Sequence, residues 1–108
     1  MMSRPVVETA RIALAPGRTE ADLIAASATF QGYLDEQPGF LSRELLKAAD
    51  GSYLDLVHWQ DHAAAEAMME AAMTSPACLA YFAVMDMSAA DPAAGVAHFD
   101  MLARYGRA

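Results

Sequence analysis

An Asp50-Gly51 pair set between two alternating runs, Gly39 to Ala49 and Ser52 to Gln60, constrains this chain more than any other feature. Such a pair between strand-like segments is a strong hairpin signal. The two-residue type I′ turn it predicts needs positive φ at both central residues. The second run closes Val57-His58-Trp59-Gln60, and Asp61 follows as the N-cap of a helix. The hairpin therefore delivers a tryptophan to the mouth of a helix.

The flanking segments extend this unit in both directions. Val6 to Leu14 alternates, with Val6, Glu8, Ala10, Ile12 and Leu14 on one parity, and Pro16-Gly17 breaks the strand. Thr19 opens a helix with Asp22 completing a capping box. Leu23, Phe30 and Leu34, beside Ala26, Ser27 and Tyr33, form its buried stripe. In the helix after Asp61, His62, Glu66, Glu70 and Thr74 recur every four residues as a polar stripe, and the rest is nearly all Ala or Met. Ser75-Pro76 starts a further short helix running to about Met85. A small-residue loop, Asp86 to Ala94, leads to a final strand from Gly95 to about Tyr105. On that strand Val96, His98, Asp100 and Arg104 share one face, and Ala97, Phe99, Met101 and Ala103 the other.

The order β-α-β-β-α-β predicts one α+β, ferredoxin-like domain over residues 1–108. Its four-stranded antiparallel sheet carries helices on one face. At 56% hydrophobic residues, a 108-residue chain holds more apolar side chain than so small a domain can bury. A second copy is the simplest cover for the bare sheet face, so a homodimer is expected. A net charge of −7 argues against nucleic acid or an anionic membrane as partner. No uncharged run is long enough to span a bilayer, and the N-terminus lacks a secretory pattern, so a cytoplasmic location is expected. The lone Cys78 excludes an internal disulfide and any multi-cysteine metal cluster.

The pattern resembles a known family. Pro38-Gly39-Phe40 opening a strand, the Asp-Gly hairpin, Leu56-Val57-His58-Trp59-Gln60-Asp61, Ala63 to Ala67, and Ser75-Pro76 before Tyr81-Phe82 resemble the dimeric α/β-barrel superfamily. More narrowly, they are similar to the antibiotic-biosynthesis-monooxygenase domain. The resemblance covers Val6 to Tyr105. It implies a homodimeric barrel, a small-molecule pocket between sheet and helices, and cofactor-independent oxidation of a planar aromatic or polyketide-like substrate. It implies no bound cofactor and no metal. Haem-degrading members share the tryptophan but add a strand-one asparagine and a helix histidine. This chain contains no asparagine, and Met68, Met69 and Glu70 occupy the relevant helix turns. Quinone-forming members carry an amide one strand repeat before the tryptophan, where this chain has Asp55.

Tyr53, Asp55, Val57 and Trp59 share one face of their strand. One reading makes Tyr53 and Trp59 the aromatic clamp on a planar substrate and Asp55 the catalytic base. The other has Trp59 packing the strand–helix junction and Asp55 bridged to Arg43 or Arg11. His58, of opposite parity, and His98, two residues from Asp100, are the remaining candidate proton carriers. His58, His62 and Glu66 have metal-like spacing, but His58 precedes the helix, and a solvated helix face explains His62 and Glu66. A non-catalytic dimeric binding or stress-response module of the same superfamily is the alternative to an enzyme.

Overall fold

The computed structural model describes residues 4–72, 74–86 and 95–106. Alternation becomes β1 (Val6–Ile12), β2 (Phe40–Lys47), β3 (Tyr53–Trp59) and β4 (Val96–Asp100), while the capped segments become α1 (Glu20–Leu34), α2 (His62–Ala72) and α3 (Pro76–Phe82). Of the segments expected from sequence, the loop over 87–94 and the side chain of Met73 lie outside the described residues.

Strand order is β2-β3-β1-β4, every pairing antiparallel, so the ferredoxin-like arrangement stands. The expected barrel does not. β2 and β4 are separate edges with β3 and β1 between them, and the sheet stays open. Four twisted strands cannot bring such edges together, since a small closed barrel takes about eight. The homodimeric-barrel expectation is corrected accordingly.

Each helix start follows its sequence signal. Thr19 and Asp22 form both halves of the capping box, Asp61 accepts from the Ala64 N–H at 2.9 Å, and the Ser75 hydroxyl accepts from the Cys78 N–H. α1 buries Leu23, Ser27, Phe30 and Leu34, and α2 buries Ala65, Met68 and Ala72. These side chains close over Ile12, Val57 and Trp59 on the sheet.

Three local expectations are revised. At the hairpin only Gly51 has positive φ (89°), so the turn is not type I′. The Gly51 N–H donates to Ala48 C=O at 3.0 Å, while the Ala48 N–H donates to Ser52 C=O. Ala49 and Asp50 thus form a type I turn, with Gly51 as the left-handed bulge residue after it. The Asp50 carboxylate accepts from the Ser52 N–H and hydroxyl, which holds this longer loop. α3 ends at Phe82 rather than Met85, because Met85 instead bridges Leu14 and the Asp86 N–H donates to Ala13 C=O. β4 stops at Asp100 because its partner runs out. The last contact is the Met101 N–H on Pro5 C=O, and Pro5 has no N–H to return.

Gly39 sits at φ 82°, and a Cβ there would lie 2.6 Å from the Cβ of Ala64. The hairpin is thereby pressed against the first turns of α2. Gly51, at φ 89°, faces open space. Gly39→Ala should cost about 2–4 kcal/mol through combined backbone strain and overpacking, and Gly51→Ala only about 1 kcal/mol. Urea unfolding of both variants measures the difference. Equal costs would show that the Ala64 contact is unimportant.

Candidate functional site

The face of β3 under the helices presents Tyr53, Asp55, Val57 and Trp59 together, as their shared parity predicts, and all four are buried. Asp55 does not stand free there. Arg43 of β2 grips it in two bonds, Nε to Oδ1 at 2.8 Å and Nη2 to Oδ2 at 2.7 Å, with both side chains 5% exposed. The Tyr81 hydroxyl donates to Asp55 Oδ2 at 2.7 Å. Arg43 also donates to the Ser27 hydroxyl and carbonyl and to Gln31, and its guanidinium lies 5.0 Å from the Phe30 ring centroid. Burial works to lower the Arg43 pKa, but the bonds and charge of Asp55 outweigh it and raise the value. Burial, with Asp55's charge behind it, raises the Tyr81 hydroxyl, which keeps it a donor. The alternative reading of Asp55 as Arg43's partner matches this geometry.

A second cluster assembles between β1, β4 and α2. Glu8 pairs across the ladder with His98, and the His98 Nε2 lies 2.8 Å from Glu8 Oε2. The histidine side chain is 30% exposed and the carboxylate 6%. Burial raises the Glu8 pKa, opposed by His98 and, more weakly, by the nearby Trp59 indole. That indole N–H is close enough to favour the Glu8 charge but completes no hydrogen bond, leaving a buried donor without a partner. Trp59 itself is 0% exposed and meets Phe40 edge-on at 5.9 Å. With Glu8 ionised, Nε2–H donates to it and Nδ1 carries the free lone pair. This is a histidine oriented by a buried carboxylate, the arrangement sought between His98 and Asp100. Its carboxylate comes from Glu8 instead, because the cross-strand neighbour is closer than the residue two along.

The other predicted residues lie apart. The Tyr53 hydroxyl donates to Glu20 at 3.0 Å, beside an open recess of about 210 Å³ that Leu23, Ile24, Leu45 and Lys47 also line. His58 is on the opposite, bare face with Leu54 and Leu56, its Nε2 3.4 Å from Glu44. Sequence reasoning did not single out Glu8, Ser27 or Tyr81 as partners. Glu8 was legible in principle, as a carboxylate on an otherwise apolar parity of β1. Among the described residues no group of three or more His, Cys, Asp or Glu side chains could hold a metal ion.

The antibiotic biosynthesis monooxygenase domain matches residues 5–84. This chain belongs to that family. Its fold is similar to that of SnoaB, a cofactor-independent oxygenase from Streptomyces nogalater, at 22% identity over 96% of this chain and 97% of that one, TM-score 0.69. It is also similar to a haem-degrading protein from Mycobacterium tuberculosis (20% identity, 97% and 99% covered, TM-score 0.62) and to a protein of unknown function from Nitrosomonas europaea (20%, 99% and 97%, 0.66). No match was found among curated proteins. The turn of α2 compared above with that of haem-degrading members carries Met68, packed in the core, with Met69 and Glu70.

Two predictions follow from burial. Arg43→Met or Asp55→Leu alone should cost about 3–5 kcal/mol in denaturant unfolding, by leaving a buried polar group unpaired, while the double variant Arg43→Met/Asp55→Leu should cost less than the two single costs added. Additive costs would show that the pair is not coupled. For Glu8, folding favours the protonated form, so its contribution is full below the unfolded value near 4.5 and is lost as pH rises through the raised folded value. Relative to wild type, Glu8→Gln should therefore gain in Tm as pH is raised from below 4.5 towards neutrality. A Tm difference constant with pH would contradict this.

Proposed function

We propose that this protein binds a planar phenolic or polyketide-like molecule and oxidises it with dioxygen, using His98 as base and Glu8 to orient it. The observation that carries this reading is the 2.8 Å contact joining a partly exposed imidazole to a buried carboxylate beside Trp59. The family and the cofactor-independent activity of SnoaB support the reaction class. His98 takes the phenolic proton, and Glu8 stabilises the imidazolium that results. The electron-rich phenolate reduces dioxygen by one electron, the two radicals join as a peroxide anion on a ring carbon, and the His98 imidazolium returns its proton to make the hydroperoxide. Loss of that carbon's proton and cleavage of O–O leave a carbonyl and release water. The substrate supplies four electrons; one oxygen atom ends in the quinone and the other in water. No separate reductant is required.

In this scheme Trp59 floors the site, and Asp55 acts as a positioning residue through Arg43 and Tyr81 rather than as the base. Tyr53 borders a separate recess at the other end of β3. His58, across the sheet, takes no part in the same pocket. A second copy of this chain is the proposed partner for the bare face, which exposes Leu46 (44%) and Phe99 (54%).

A second reading, a non-catalytic homodimeric binding module, draws on the filling of the space between sheet and helices by the Phe30–Tyr81 stack and the Phe40–Trp59 pair. Oxygen-electrode assays with a panel of naphthols and hydroxyanthrones separate the two. Oxygen uptake by wild type is expected, with kcat/KM falling about 10²–10⁴-fold in His98→Ala. No uptake on any probe, or full activity in His98→Ala, would overturn the enzymatic reading.

A further inference from the structure

β4 ends at Asp100, but its alternation does not. Phe99 lies on the bare sheet face, beside Val7 and His58, and Met101, Ala103 and Tyr105 continue its parity. Residues 101–106 form neither helix nor turn, and among the described residues no backbone hydrogen bond reaches 102–106. Leu102 is 82% exposed and Tyr105 92%. Two large side chains on one short segment are thus held in water, on an arm that its own chain does not support.

The opposite corner of the sheet carries a recess of about 210 Å³ between α1 and β2. Leu23, Ile24, Leu45 and Leu46 line it, and Ile24 and Leu46 are about half exposed. Small-molecule pockets run from about 300 to 1,000 Å³, so this volume suits a single aromatic side chain better than a multi-ring ligand. At its rim Lys47 Nζ lies 2.9 Å from Glu20 Oε1. An ammonium has three N–H groups, which leaves Lys47 able to donate to a phenolic oxygen as well.

We infer that Tyr105 of a second copy docks in this recess, and that two copies exchange these arms reciprocally. This rests on the second copy proposed above for the bare face and adds the segment that ties the pair together. Tyr105 cannot fill the recess of its own chain. Asp100 stands in the row of Val6 and Trp59, whereas Lys47 stands in the row of Tyr53 and Ile12, three strands across and six residues along. That separation is about 24 Å. Met101 to Tyr105 span at most about 18 Å when fully extended, and β4 runs away from the recess, so the arm would first have to turn back. Arm and recess belong to one sequence, so a two-fold pair satisfies each of them twice. Tyrosine suits the role of anchor, with a large rigid apolar body and one polar end.

Sedimentation velocity of the full chain at micromolar concentration tests the exchange, and it reads association alone, independent of oxygen uptake. Wild type should be dimeric, and Tyr105→Ser or Ile24→Arg should each weaken the dimer at least about tenfold. Both side chains are exposed in the single chain, and an unchanged circular-dichroism spectrum checks that each variant folds. Mixing the two variants should recover dimer. The Ile24→Arg chain still offers Tyr105, and the Tyr105→Ser chain still offers an open recess. A dimer indifferent to Tyr105→Ser overturns the docking and leaves the second copy on the bare face. Weakened variants that do not recover on mixing overturn the pairing of arm with recess. A monomeric wild type overturns both the docking and the second copy.

Discussion

The buried pair of Arg43 and Asp55 holds the layers of this fold in register. One guanidinium reaches β3 through Asp55, α1 through Ser27 and Gln31, and α3 through Tyr81, while the Phe30 and Tyr81 rings flank it. Burying two charges is costly, and their mutual attraction only offsets that cost when the remaining donors and acceptors are also met. Here those hydrogen bonds come from two of the three helices, α1 and α3. Any shift of α1 or α3 would break one of these bonds at a site almost closed to solvent, so the pair fixes where the helices sit.

The same arrangement divides the polar groups of the interior into two kinds. Asp55 is committed to Arg43 and Tyr81 and has both oxygens occupied. Glu8 meets a single histidine, which is itself partly open to solvent. One carboxylate organises structure, and the other is placed where protons can come and go. Trp59 lies in the row next to both strands' contributions, closing the inner side of the cluster with a ring that has no exposed surface.

Much of this was legible in the residues. Thr19 with Asp22, and Ser75 with Pro76, mark helix starts because their side chains satisfy backbone N–H groups that a helix leaves open. Parity along Tyr53 to Trp59 grouped Tyr53, Asp55, Val57 and Trp59 on one face, since successive side chains of a strand alternate. Distances across strands were not legible. Glu8 and His98 are 90 residues apart in the chain, and only the β1–β4 register makes them neighbours, whereas Asp100 looked nearer because it is close in sequence. The turn at Asp50-Gly51 was hidden for a related reason. A dipeptide does not disclose whether its preceding alanine joins the loop. The open sheet marks a further boundary, because closure depends on strand number and stagger rather than on any residue pattern.

β4 is the last strand described and touches the sheet through β1 alone. His98 therefore meets Glu8 only once the C-terminal stretch has docked beside β1, on a sheet whose other three strands pair as β2-β3-β1. A chain emerging during synthesis would hold its buried arginine pair well before its histidine–carboxylate pair existed. Proton chemistry at this site would thus begin with the final act of folding, and a partly made molecule would be stable in part yet chemically silent.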